Sequence, residues 1–434
     1  MSWALVSIAV VILAFAAVSK LLDGTPVTAA MFFTAAGLVL GAKAAGLVEP
    51  SASSETVKLL AEATLAVVLF SDAARIDLRA LREEYRVPVR LLGIGLPLTI
   101  AAGFGVALVV LGSLGWPEAL ILAIVLAPTD AALGQAVVTL PALPSRIRQG
   151  LNVESGLNDG LCVPLFAVAL AVATTEAGLI HGSHAVSLLV EAIGYGILFG
   201  VIGGVAAGAV VVLAGPRGLV QASWLQIVPA AGATLAYTSA QAVGGSGFIA
   251  AFVGGMVFGA VHRRRGGEVG YLMEQLGALL GAATFIVFGG AFLGPALGQI
   301  TWAVAGYALL SLTLVRMAPV AVAMIGTHAR PRTVAFLGWF GPRGLASIVF
   351  AVLVVEAPGE LPHESLLLTT IFVTIGLSVF AHGVTAAPLG RRYARWFAEH
   401  PRADTLRVER GATARHVRWR LSSHGDEVAA PPPH

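Results

Sequence analysis

Along this chain the apolar residues do not alternate with polar ones. They run together in long stretches, and the polar residues gather between them. A stretch of about 17 or more apolar residues is long enough to cross a bilayer as a helix. Thirteen stretches meet that pattern, at approximately 3–19, 27–45, 57–72, 88–112, 117–140, 151–174, 185–213, 222–240, 245–262, 271–293, 300–326, 333–357 and 365–388. The pattern predicts an all-α polytopic membrane protein with about 13 transmembrane helices. A transmembrane β-barrel would show short segments of alternating polarity instead. The first stretch could be taken for a signal peptide ending near "AFAAVS", but its start, MSWALVS, carries no Lys or Arg and its apolar run is long for a signal.

Composition strengthens this picture. Of 434 residues 57% are hydrophobic and only 12% charged, whereas soluble domains carry about 25% charged residues. The mean hydropathy is +0.85. The 51 glycines suit close helix approach in a membrane. Gly196, Gly200, Gly204 and Gly208, spaced by four, place a smooth face on the seventh span, for packing within the subunit or for a dimer contact. A single cysteine, Cys162, excludes an intrachain disulfide framework. The basic pI, near 9.2, does not imply nucleic acid, because the basic residues are spread over short loops and a tail.

Those basic residues sort by loop. Arg75, Arg79, Arg82 and Arg86 follow the third span, Arg146 and Arg148 the fifth, and Arg217 the seventh. Arg263, Arg264 and Arg265 follow the ninth, Arg330 and Arg332 the eleventh, and Arg391, Arg392 and Arg395 the thirteenth. The loops after spans 4, 6, 8, 10 and 12 contain neither Arg nor Lys. The positive-inside rule then puts the odd loops in the cytoplasm, the N-terminus outside and the C-terminus inside, in a multi-pass protein of the cell (inner) membrane. A transmembrane domain at 1–390 precedes a polar cytoplasmic tail at 391–434. The tail starts with "RRYARWFAEH", which can lie on the membrane surface, and its remainder has the composition of a disordered segment.

Against this background a few polar residues stand out. Asp130, in "VLAPTDAALG", lies near the middle of the fifth span, just after Pro128 and Thr129. An ionised carboxylate there is costly unless paired or hydrated. Pro128 removes a backbone donor and disfavours helix at Ala127. Unpaired backbone at that depth is tolerated only against protein or a water-filled cavity, and a broken helix with a carboxylate at the break is the form of an ion site in secondary transporters. Freed carbonyls and the Thr129 hydroxyl are hard oxygen ligands for a small cation. The sixth span opens "LNVESGLNDGLCVPLF". On a helix Ser155 and Asp159 share a face, as do Glu154 and Asn158. Capping or helix–helix hydrogen bonds could use Ser155 and Asn158, but three carboxylates on neighbouring spans are harder to explain structurally.

Two arginines are buried in late spans, Arg316 in "LTLVRMAPV" and Arg343 in "GWFGPRGLAS". Gly341, Pro342 and Gly344 mark a second interrupted helix. Spans 5 and 12 are each the middle of a triplet, 4–6 and 11–13, and the triplets face opposite ways, the pattern of an inverted repeat with two crossing discontinuous helices. If Asp130, Asp159 and Glu154 converge with Arg316 and Arg343, one negative charge is left for one monovalent cation or one proton. Competition for such a site produces exchange, since desolvation favours a protonated carboxyl.

"PTD" followed by "ESGLND" resembles the monovalent cation/proton antiporters, in their electroneutral sodium/proton exchanger branch of prokaryotic type. "LFSDAARIDLRALR" at 69–82, "GSGFIAAFVGG" at 245–255 and "GPRGLAS" are similar to further segments of that family, over roughly residues 5–390. The resemblance implies that Asp159 carries cation and proton, with Asp130, Thr129 and Ser155 completing a Na⁺ site. It implies that Glu154 orients the site and pairs with Arg343, and that Asn158 marks the branch. It further implies a homodimer in the lipid membrane, with a dimerisation part (about 1–72 and 185–262) and a moving six-helix core (about 88–174 and 300–388). The substrates would be Na⁺ or Li⁺, or K⁺, against H⁺, with no cofactor and no enzymatic chemistry.

Three positions depart from the family pattern. Gly156 replaces an aliphatic residue beside the site, Pro342 interrupts a glycine pair, and His382 in "FAHGVT" stands where glutamine is frequent. A buried His is ordinarily a packed, hydrogen-bonded residue; a sensor is the other reading. A cation channel with the same acidic lining, an intramembrane aspartyl protease built on two aspartates, and a scaffold are the competing readings. The protease needs no buried arginines, the channel no paired broken helices, and the scaffold leaves the buried charges unexplained.

Overall fold

The computed structural model describes residues 2–22, 25–41, 45–47, 54–76, 86–130, 133, 137, 140, 142–176, 182–262, 270–357 and 361–400. Arg79, Arg82, Arg263, Arg264, Arg265, most of 131–141 and the tail from 401 onward lie outside them. The described chain is helical, with no β-strand among these residues.

Helix α1 spans Ser2–Leu22, α2 Ala29–Leu40 and α3 Ser54–Arg75. Helix α4 starts at Arg86–Arg90 and passes through a π-helical turn, Leu91–Gly95, into Leu96–Val110. Helices α5 (Trp116–Val125) and α6 (Ser145–Glu176) flank the first broken region. Then come α7 (Gly182–Ala209), α8 (Ala222–Ala242), α9 (Gly247–His262) and α10 (Tyr271–Val287, running on through a π-helical Phe288–Leu293). The last elements are α11 (Trp302–Leu312), α12 (Leu314–Ala323), α13 (Pro331–Trp339), α14 (Leu345–Val355) and α15 (Glu364–Glu399). Seven helices are long and apolar enough to cross a membrane, and four more apolar helices are shorter.

The core is built from helix faces that the sequence marks as apolar or small. The glycine face of α7 meets α9: a Cβ added at Gly200 would lie 2.7 Å from Ala250 O, and one at Gly204 2.4 Å from Gly254 O. Of the two uses open to this face, the described residues place it inside the subunit. Phe166 of α6 stacks on Phe350 of α14 with centroids 4.9 Å apart, which locks the helix bearing the acidic motif to the second half of the twelfth span. Helix α15 does not stop at the polar segment. It continues to Glu399, and Tyr393 and Ala394 are buried in a cluster with Phe336, Leu337 and Phe340. The expected surface helix at "RRYARWFAEH" is therefore a packed extension of α15. Arg330 sits over the Trp396 ring at 4.2 Å and donates to His400 O at 2.8 Å, which ties the extension to the start of α13, while Arg391, Arg392 and Arg395 stay exposed.

Two helices break inside the protein. α5 ends at Val125 and residues 126–130 are non-helical; α13 ends at Trp339 and the helix resumes only at Leu345. The breaks meet. Asp130 N donates to Pro342 O at 2.7 Å, Leu345 N donates to Asp130 Oδ2 at 3.0 Å, and Ser347 Oγ donates to Val125 O at 2.6 Å. Backbone groups freed by one break are thus satisfied by the other, as they must be where water is scarce.

Candidate ion site

Every residue singled out in spans 5, 6, 11 and 12 lies at or beside the meeting point of the breaks. α6 supplies one wall, and its polar residues fall on the face turned to the first break. Ser155 Oγ donates to Thr129 O, and Asn158 Nδ2 donates to Thr129 Oγ1 at 2.7 Å. The Thr129 oxygens are therefore held against α6 by two hydrogen bonds, which fixes the unwound segment. α6 runs continuously from Ser145 to Glu176 through Gly156.

The charges separate into two groups. In the first, Glu154 Oε1 and Arg316 Nη2 form an ion pair at 2.6 Å, with both side chains almost wholly buried. Arg343, fully buried, stands close enough to both for their charges to interact. Among the described residues it makes no ion pair of its own: its guanidinium donates to Gly341 O and, at 3.4 Å, to Ser311 O. The partner of Glu154 is thus Arg316 and not Arg343. The reason is geometric, because the tight turn at Gly341 folds the Arg343 guanidinium back onto its own backbone. Gly341 is required there: an added Cβ would fall 2.3 Å from Arg316 Nε.

The second group is Asp159, Asp130 and Asp72, near enough for their charges to act on one another. Asp159 is 8% exposed, and its Oδ1 is buried without a hydrogen-bond partner. Asn158 Oδ1 and Glu154 Oε2 on the same helix are buried and unpartnered as well. Asp130 is stabilised by the N-terminus of α14, where the first amide and the helix dipole favour a negative group. The arginines marked in the sequence are thus not the source of this stabilisation, and no local pattern marks the helix end that is. Asp72 lies within the segment "LFSDAARIDLRALR". Asp72 reaches the site from α3 across Gly156, whose added Cβ would stand 3.5 Å from Asp72 Cβ. The signal for it was available, since Asp72 is an ionisable residue at the end of an apolar span.

Such a site offers an unsatisfied carboxylate oxygen among further oxygens and carboxylates, buried among the helices. Hard oxygen donors of this kind suit small hard cations or a proton. Among the described residues no group of three His, Cys, Asp or Glu side chains forms a metal-holding cluster.

Comparison with known proteins bears on the family and the fold. The family profile for the sodium/hydrogen exchanger, transmembrane, matches residues 5–392. A K(+)/H(+) antiporter NhaP2 of Shewanella sp. (strain MR-4) is 25% identical over 388 residues, covering 87% of this chain and 65% of that protein. An uncharacterized Na(+)/H(+) exchanger of Mycobacterium tuberculosis (strain CDC 1551 / Oshkosh) is 26% identical over 400 residues, covering 85% of this chain and 71% of the relative. The chain thus spans about two thirds of the length of these curated relatives. In fold it matches the sodium proton antiporter MjNhaP1 from Methanocaldococcus jannaschii at pH 8, with a TM-score of 0.74, 19% identity, and coverage of 88% of this chain and 98% of that one.

Proposed function

The chain belongs to the sodium/hydrogen exchanger family, a family of multi-pass membrane transporters, and from that premise we propose that it exchanges one Na⁺ or Li⁺ for one H⁺ across the cell membrane, with both ions competing for Asp159. The observation that carries the reading is the buried, unpartnered Oδ1 of Asp159 beside Asp130 and Asp72. A carboxylate oxygen taken out of water demands a proton or a cation. Asp130, Thr129 and Ser155 complete the cation site, while Glu154, Arg316, Asn158 and Arg343 hold its walls.

Taking up a monovalent cation as a proton leaves carries no net charge. The exchange is electroneutral as long as Asp130 and Asp72 keep their protonation states. The core, 88–174 and 300–388, moves against a dimerisation part, 1–72 and 185–262, in a homodimer with its N-terminus outside. A second reading, K⁺ in place of Na⁺, is favoured by the K(+)/H(+) antiporter among the relatives.

The test uses proteoliposomes with an internal pH dye, challenged with Na⁺, Li⁺ or K⁺ while the membrane potential is clamped or released. Cation-driven alkalinisation that ignores the potential and falls to the level of empty liposomes in Asp159→Asn is the expected result. The ion ranking separates the two readings. Potential-dependent movement sinks the one-for-one count, and cation flux without proton movement sinks exchange.

A further inference from the structure

His382 is buried on α15, outside the ion site, and the exchange reading gives it no task. Its ring touches both sides of the second break. Nε2 lies 2.9 Å from Trp339 O, the last carbonyl of α13. Nδ1 lies 3.1 Å from Ser378 Oγ, and that oxygen accepts the backbone N–H of Arg343 at 2.7 Å. Trp339 O can only accept, so a neutral ring facing it carries its proton on Nε2. Nδ1 is then an acceptor, and the Ser378 hydroxyl donates to it while receiving from Arg343. Nδ1 also lies 3.0 Å from Ser378 O, which offers it no proton. The hydroxyl is its partner.

A third tie joins the same two elements. Trp339 Nε1 donates to Thr385 Oγ1 at 3.0 Å. Ser378, His382 and Thr385 are spaced as one stripe along α15, and that stripe holds the end of α13 and the start of the resumed chain at once. Pro342, whose carbonyl accepts from Asp130 N, lies between those anchors, and Gly344, whose added Cβ would overlap Asp130 Oδ2, directly follows the second of them. The spacing of the anchors therefore sets where Pro342 O and Leu345 N meet Asp130.

We propose that His382 is a positioning residue for the ion site: through Trp339 and Ser378 it clamps both ends of the 340–344 break and so fixes Asp130. The inference rests on the exchange reading for its functional consequence and on hydrogen bonds alone for its structural part. The chemistry asked of the ring is one donor and one acceptor, which a glutamine amide also offers and a leucine does not.

Two readouts on the full chain separate these parts. Backbone hydrogen exchange over 339–345 reports the clamp whether or not ions move. His382→Leu and Ser378→Ala are expected to speed it about tenfold, the effect of losing one net hydrogen bond, and His382→Gln to stay within about threefold. In proteoliposomes the first two variants raise the apparent cation KM about fivefold or more with a smaller change in maximal rate, and His382→Gln recovers it. Should His382→Leu not fold, Ser378→Ala carries the same comparison. Unchanged exchange and KM in Leu and Ala variants overturn the clamp, as does a folded Gln variant as impaired as Leu. Absence of cation-linked proton movement in the wild type overturns the exchange reading instead, and hydrogen exchange alone then decides the clamp.

Discussion

The two broken helices differ in what they expose and in how they are held. The first, at 126–130, presents Thr129 and Asp130, and its oxygens are gripped by side chains of α6 and by the N-terminus of α14. It contains no glycine. The second, at 340–344, presents an arginine folded onto its own turn between two glycines, and it is gripped by α15. Each side donates once and accepts once, Asp130 N to Pro342 O and Leu345 N to Asp130 Oδ2, and the second break also supplies room. The comparison shows that two unwound segments can cross inside a membrane when each offers a partner for what the other leaves unpaired. It also shows that only one of the two has to give up side chains to let the other approach.

The largest test strikes the charge that separates the breaks. Arg316→Met leaves Glu154 buried and unpaired, and should cost about 3–5 kcal/mol, read as a lower melting temperature. The double variant with Glu154→Gln should recover much of it, because the two act as a pair. Full additivity would mean that the ion pair at 2.6 Å does not couple them.

Next comes the space in the second break. Gly344→Ala should cost about 1–3 kcal/mol or more and impair transport, because its methyl group overlaps the Asp130 carboxylate. Gly105→Ala in α4, with open space around its added Cβ, should stay within about 1 kcal/mol of the parent. Equal melting temperatures for the two variants would show that the breaks have slack.

Thr129→Val tests the first break. It strands the Asn158 amide that now donates to the hydroxyl, at about 1–3 kcal/mol, and should raise the apparent cation KM. A stable variant with unaltered ion dependence would remove Thr129 from the site. The smallest effect belongs to a half-exposed pair outside both breaks. Arg75 and Glu274, 2.9 Å apart and about half exposed, should contribute under about 1 kcal/mol, so Glu274→Ala should melt within that range of the parent.

Much of this architecture was legible in the residues. Long apolar stretches announced the helices, and Pro128 and the Gly341–Gly344 turn announced where two of them stop. Asp130, Glu154, Ser155, Asn158 and Asp159 were conspicuous because polar groups at such depth need a reason. Which partner each would take was not legible. Glu154 had two arginines available, and the choice fell to Arg316 because a backbone turn withdrew Arg343. Asp72, an ionisable residue at the end of an apolar span, and His382, a departure from the family pattern, gained their roles only from what faces them.

By itself the sequence determined that the chain is helical and apolar, that two helices break, and that carboxylates lie at mid-span, because these follow from local propensities and solvation. Only the tertiary structure decided that the N-terminus of α14 stabilises Asp130, that Arg316 answers Glu154, and that α15 clamps the second break. Those outcomes depend on distances of about 3 Å between residues tens to hundreds of positions apart. At that range a hydrogen bond or ion pair is made or lost by the packing of whole helices, which no local pattern encodes.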